Sequence, residues 1–407
     1  MALEKTWRWF GEGDSVELFD LKQIGIEGVV TSLSHIKPGE VWSIDEINKR
    51  KEYIERNDFS WSVVESLPVS ESIKQNNESS KKHIDNYKAS LRNLAKCGID
   101  TVCYNFMPVL DWARTDLKYI DKDGTETMLF DWITFAAFDV YILKRPKAEK
   151  SYSKEIIEKA KGVFSKMSRY EKDELAYNII IYTQSFINTG IEDNDDYKEN
   201  FLRQLAAYKN IDTHILRSNL SLFLSEVIPV CEEVGIRMAI HVDDPPFPLL
   251  GLPRVVSSME DFNWIFTQHP SLYNGIAFCT GSLAARKDNN IPLLIKKFGD
   301  RIHFIHLRNI QFLNDTTFYE SGHLDGVVDF YTAVKSLLEE QQRRIQEGRK
   351  DFRMPYRPDH GKKMLDDFSR KSNPGYPLIG RMKGVSEISG LVKAIERSLL
   401  EKQNGIK

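Results

Sequence analysis

Residues 230–244 read VCEEVGIRMAIHVDD. The first five have the spacing of a helix end, and Gly235 falls where a left-handed cap would stop it. The next seven, Ile236 to Val242, are short and rich in branched apolar side chains, as a buried strand is. Helix, glycine, strand is one unit, and it recurs. It reads LKQIGIEGVVTSL at 21–33, LRNLAKCGIDTVCYNFMP at 91–108 and IKKFGDRIHFIHLRNI at 295–310. Ser43-Ile-Asp-Glu46 adds a capping box that opens a helix through about Glu55 and leads into FSWSVVES at 59–66.

Eight strands are expected, around Thr6–Phe10, Gly28–Leu33, Ser60–Ser66, Thr101–Phe106, Ile236–Val242, Gly275–Thr280, Ile302–Leu307 and Phe352–Arg357. Helical patterns separate them, which predicts a closed (β/α)8 TIM barrel of the α/β class. A doubly wound open sheet is disfavoured, because no Gly-x-Gly-x-x-Gly turn follows a strand. Residues 1–407 are expected to form a single barrel domain. The gap between the fourth and fifth strands is too long for one crossover. Asp212 to Val234 supplies the expected crossover helix, and 110–210 is read as a helical insertion with solvated charged faces.

The chain has 407 residues, 41% of them apolar and 28% charged, with a formal net charge of −3. That balance gives no electrostatic case for nucleic acid or an anionic membrane. No apolar run is long enough to span a bilayer, and MALEKTWRWF lacks the apolar core of a signal peptide. Cys97, Cys103, Cys231 and Cys279 show no regular spacing, so a reducing, cytoplasmic setting is expected rather than a disulfide framework.

In a barrel, chemistry collects at the C-terminal ends of the strands. The second strand leads to His35, the third ends with Glu65 and the fourth with Asn105. The last four end with His241, Cys279, His306 and Asp359. Taken alone, a strand-end histidine is an ordinary hydrogen-bonded residue, and Cys279 a small buried hydrophobe. Two imidazoles, a thiol and a carboxylate at four successive strand ends make a coincidence that points to a divalent transition metal. Ligand type alone allows Zn, Fe(II), Co or Mn, with zinc the generic choice. His303 is placed by alternation on the outer face, and His83, His214 and His269 on helix surfaces. In YRPDHG, 356–361, Pro358 is expected to end the strand pairing and Asp359 to turn inward. His360 then stands above the metal as a proton-transfer group, and Gly361 allows a sharp turn.

At this point the chain resembles the D-mannonate dehydratase family. The resemblance runs through WRWFG at 7–11, GEVWS at 39–43, WSVVES at 61–66 and TVCYNFMPVLDWARTDL at 101–117. It continues through HVDDPPFPLLGLPR at 241–254, CTGS at 279–282, HLRN at 306–309, RPDHG at 357–361 and NPGYPLIGR at 373–381. Val242 stands where family members often have proline. The resemblance implies a xylose-isomerase-like barrel and a hydro-lyase of hexuronate breakdown. Its reaction would be dehydration of D-mannonate to 2-keto-3-deoxy-D-gluconate. It also implies Mn2+ or Fe2+ in place of zinc, held by His241, Cys279, His306 and Asp359, with proton transfer by His360 and Tyr376. Strand-end position adds Arg8 or Arg308 for the substrate carboxylate, and Asn105 and His35 for hydroxyls. A homo-oligomer, dimer or higher, is expected.

Three other functions compete with this one. A metal-dependent sugar isomerase or epimerase on the same barrel would use mainly carboxylate ligands. A phosphodiesterase acting on damaged DNA would carry several metals and a basic groove. A sugar-acid binding protein without chemistry would have no use for His360 and Tyr376.

Overall fold

The computed structural model describes residues 3–184, 193–194 and 196–403. Eight parallel strands close into a barrel in which each pairs with the strands before and after it in the chain. They are Glu4–Arg8, Gly28–Thr31, Ser60–Glu65, Thr101–Tyr104, Arg237–His241, Asn274–Cys279, Ile302–Leu307 and Pro355–Pro358. All eight expected strands are present, with ends within three residues of those read from sequence. The eighth starts three residues later than expected, and just before it Arg353 forms ion pairs with Glu4 and Asp100.

The recurring unit forms for a local reason. The crossover helix Thr213–Val234 is capped at its start by Asp212, which accepts from the Ile215 N–H. It stops at Gly235, at φ 78°, whose N–H reaches back to the Cys231 carbonyl. A Cβ there would meet no atom within 4 Å, so only backbone strain opposes a side chain. Gly235→Ala should therefore lower stability by about 1–2 kcal/mol, the left-handed penalty of an L-residue. A denaturant titration checks this. A shift in midpoint with unchanged slope is expected, and no shift would remove the cap from the account.

Alternation along the strands builds the lumen. Val30, Val63, Cys103, Ala239, Ala277 and Phe304 form one buried cluster from six successive strands. The residues two positions further on point the same way, one layer higher. For the third to seventh strands these are Glu65, Asn105, His241, Cys279 and His306. The lumen layer is thus a floor, and the polar strand ends stand on it. Phe304 packs edge-on under His306, with ring centroids 4.6 Å apart.

The insertion between the fourth and fifth strands carries helices, among them Lys154–Lys166 and Arg169–Tyr177. It is not helical throughout. It opens with a hairpin, Asp116–Ile120 and Glu126–Asp131, turned at Asp123-Gly124. A second hairpin, Ile310–Asn314 and Thr317–Glu320, follows the seventh barrel strand. The two join as a four-stranded antiparallel sheet. Residues 185–192 and 195 of the insertion lie outside the described residues.

Candidate metal and proton-transfer site

The strand ends converge. One donor atom each from His241, Cys279 and His306 lies within 4.8 Å of the others. Asp359 Oδ2 stands 3.7 Å from the Cys279 sulfur. All four residues sit on the lumen side of the mouth, and Cys279, His306 and Asp359 are buried.

The imidazoles test whether a cation fits here. His241 Nδ1 lies 2.6 Å from the Val242 carbonyl oxygen, an acceptor only, so the proton belongs on Nδ1. The nearest acceptor to His306 Nε2 is Glu65 Oε1 at 3.1 Å, a contact too bent for a full hydrogen bond. With protons so placed, the remaining nitrogens, His241 Nε2 and His306 Nδ1, face each other across 3.1 Å. Two lone pairs at that distance repel unless a proton or a metal cation lies between them. The spacing matches neighbouring ligands around a metal with bonds of about 2.0–2.1 Å. The Cys279 sulfur accepts from the Ser282 N–H and hydroxyl, at 3.5 and 3.1 Å. Two nitrogens, one sulfur and a nearby carboxylate form a transition-metal donor set, softer than the all-oxygen shell of magnesium or calcium.

Arginines lock this set. Arg357 forks onto Glu65 at 2.9 and 3.0 Å and also bonds Asp359. Burial would raise the pKa of the Asp359 carboxyl, but the charges of Arg357, His360 and Arg308 outweigh it and hold it well below the usual range. Glu65 is lowered in the same way, against its burial, by Arg357, His306 and Arg8.

Asp359 and His360 follow Pro358, the last residue of the eighth strand, which does not end the pairing as expected: Pro358 lies in register with Leu307, and the Asp359 N–H still reaches the Leu307 carbonyl at 3.2 Å. Gly361 differs from expectation. It does not take the left-handed conformation. A Cβ on it would lie 2.8–2.9 Å from the backbone of Gly380 and Arg381, so glycine is required by close approach to the last helix. His360 Nδ1 stands between Arg308 Nη1 at 2.8 Å, a donor only, and Glu320 Oε1 at 3.2 Å, an acceptor only. The Tyr376 ring packs edge-on against His360, centroids 5.2 Å apart, and burial pushes its phenol pKa up.

A narrow cavity of about 70 Å³ joins these groups. Arg8, Asn105, His241, Arg308, Asp359, His360 and Tyr376 line it, together with Glu65, Asp111, Trp112 and Asp244. A wider cleft of about 700 Å³ lies beside Phe130, Trp132, Phe247 and Phe318, and its lining holds no histidine or cysteine. His35 is not brought to the site. It stands half exposed and bonds Glu46 at 2.8 Å. That pairing also corrects the capping box: Ser43 caps the helix Ile44–Arg56, but Glu46 turns to His35 instead of the cap N–H. The second strand ends at Thr31, so the residue in register with the other strand ends is Ser32. Sequence reasoning assigned no role to Arg114, Asp244, Glu320 or Arg357. Asp244 and Arg357 lie inside the quoted HVDDPP and RPDHG stretches. Arg114 lies inside the quoted TVCYNFMPVLDWARTDL stretch, and nothing in the sequence marks Glu320.

A model of the D-mannonate dehydratase (UxuA) family matches residues 3–402. The chain belongs to the D-mannonate dehydratase family. Mannonate dehydratase 1 of Agrobacterium fabrum is 46% identical over 409 residues, covering 99% of both chains. The mannonate dehydratase of a Marinomonas species is 45% identical over 400 residues, covering 98% of this chain and 100% of its own. The crystal structure of mannonate dehydratase from Streptococcus suis serotype 2 superposes with a TM-score of 0.75 at 29% identity. That match covers 98% of this chain and 95% of the other. As a member of this metal-dependent family, the chain is a hydro-lyase acting on mannonate. Among the described residues, no helix is long and apolar enough to cross a membrane.

Proposed function

We propose that the chain converts D-mannonate to 2-keto-3-deoxy-D-gluconate at a Mn2+ or Fe2+ site held by His241, Cys279, His306 and Asp359. The facing imidazole nitrogens, 3.1 Å apart with acceptors beside their other nitrogens, carry this reading. The bound cation would offset the charge that builds on the substrate carboxylate and 2-hydroxyl as C2 loses its proton. His360 and Tyr376 form the acid–base pair. One takes the C2 proton, and the other delivers a proton to the C3 hydroxyl, so that the C3–O bond breaks and water leaves. The resulting enol takes a proton at C3 and releases the proton of its 2-hydroxyl, which gives the 2-keto acid. The Arg308–Glu320 bracket supports His360 in this part, because its Nδ1 keeps a partner with or without a proton.

Of the two candidate carboxylate holders, Arg8 is favoured. Both Nη atoms of Arg308 are engaged, on His360, Asp244 and Ser282, and its Nε faces Gly281. Arg8 lines the cavity with a buried Nη1 that has no protein acceptor. Arg8→Ala should raise KM for D-mannonate about 10- to 100-fold, the loss of one charged hydrogen-bonded contact. An unchanged KM would return the role to Arg308. Asn105 is placed on a substrate hydroxyl.

Product analysis tests the reaction. A dehydratase yields a 2-keto-3-deoxy acid one water lighter than D-mannonate, whereas an isomerase or epimerase conserves the formula. The reading places the enzyme in hexuronate breakdown in the cytoplasm, a setting supported by four free, buried thiols. It is further read as a homo-oligomer, for which exposed Ile120, Leu365 and Phe368 offer apolar surface. Particle mass in solution checks this.

A further inference from the structure

Four charged side chains form a closed ring beside His360. Arg114 forks onto Asp244 at 2.8 and 3.2 Å and onto Glu320 at 2.6 and 3.0 Å. Arg308 also bridges the two carboxylates, at 2.9 Å to Asp244 and 3.3 Å to Glu320. All four are buried. Removing four charges from water is costly, and apolar residues of the same volume would often serve stability as well. The ring therefore calls for a purpose beyond holding the fold.

Its position supplies one. The ring touches His360 at Nδ1, through Glu320 Oε1 and Arg308 Nη1. Arg308 comes from a barrel strand end, but the other members on this side do not. Glu320 is the last residue of the accessory strand Thr317–Glu320, and Arg114 leads into the strand Asp116–Ile120 of the same sheet. Thr127, from the neighbouring strand, ties the Glu320 carbonyl at 2.8 Å. The sheet thus carries Glu320 to the imidazole and Arg114 to Glu320.

We infer that Glu320 is a positioning residue for dehydration, fixed by Arg114 and holding the His360 ring so that Nε2 faces the substrate. The accessory sheet is then part of the catalytic apparatus and not a decoration of the barrel. This rests on the reading of His360 as a proton-transfer group.

The test is a double-mutant cycle on the metal-loaded enzyme with D-mannonate. Glu320→Gln should lower kcat about 10- to 100-fold, as loss of an orienting partner does, with KM and bound Mn2+ unchanged. Glu320→Asp keeps the negative charge but withdraws the oxygen that meets both Arg114 and Nδ1, and should show the same pattern in a protein whose buried charges still balance. On a His360→Asn background, Glu320→Gln should cost nothing further. A kcat near that of the unsubstituted enzyme for both Glu320 variants, or a full additional loss on the His360→Asn background, overturns the inference. If His360→Asn itself leaves kcat intact, the underlying reading of His360 falls, independently of how Glu320 behaves.

Discussion

Cys279→Ala should lose bound Mn2+ or Fe2+ and turn over D-mannonate on the order of a thousand-fold more slowly. A metal that stabilises charge beside C2 would supply several kcal/mol, and each ~1.4 kcal/mol is a factor of ten. The alternative for this residue is a small buried hydrophobe, which alanine would replace at little cost. The two differ in a clean way. Cys279 is fully buried at the end of the sixth strand, and its sulfur accepts from Ser282. A ligand role predicts loss of metal, measured by elemental analysis after desalting, in a protein whose unfolding midpoint matches that of the stripped unsubstituted enzyme. A packing role predicts full metal content and full kcat. Cys279→Ser should sit between, since an oxygen donor can still ligate but is harder than sulfur.

His360→Asn should lower kcat by about 10²- to 10⁴-fold, the range for loss of one general acid or base. Asparagine is close in size to the inner part of the imidazole, and the ring packs on Trp112 and Tyr376, so the cavity walls should stay in place. Metal content should be unchanged, because His360 Nδ1 is engaged by Arg308 and Glu320 rather than by the ligand set. KM should change little. Loss of metal together with activity would instead mean that His360 serves the ligand set. Exchange of the C2 hydrogen with solvent, followed by isotope incorporation, then tells whether the residue handles that proton or the one delivered to the leaving hydroxyl.

The barrel was readable because its physics is local. Glycine after a helix, then a short branched-apolar run, needs only neighbouring residues, as at Gly235 before Arg237–His241. The convergence of the strand-end side chains was readable for the same reason: alternation carries Ala239 to His241, Ala277 to Cys279 and Phe304 to His306. Where a strand stops early the rule fails, and His35 is the case, four residues past Thr31. The accessory sheet was partly readable. DKDGT at 121–125 between alternating runs is a hairpin signature, masked by the charged surroundings that suggested helix. Glu320 was not readable at all. Its partner Arg114 lies 206 positions away, and nothing near either residue announces the pairing. Ion pairs between distant segments are set by tertiary packing, which leaves no period in the sequence.

The most direct test of the metal site is turnover of D-mannonate by chelator-stripped protein, resupplied separately with Mn2+, Fe2+, Mg2+ or Zn2+. Formation of 2-keto-3-deoxy-D-gluconate is followed in each case. The account predicts no product from stripped protein and restoration by Mn2+ or Fe2+. Undiminished turnover by protein shown to hold no metal would contradict it.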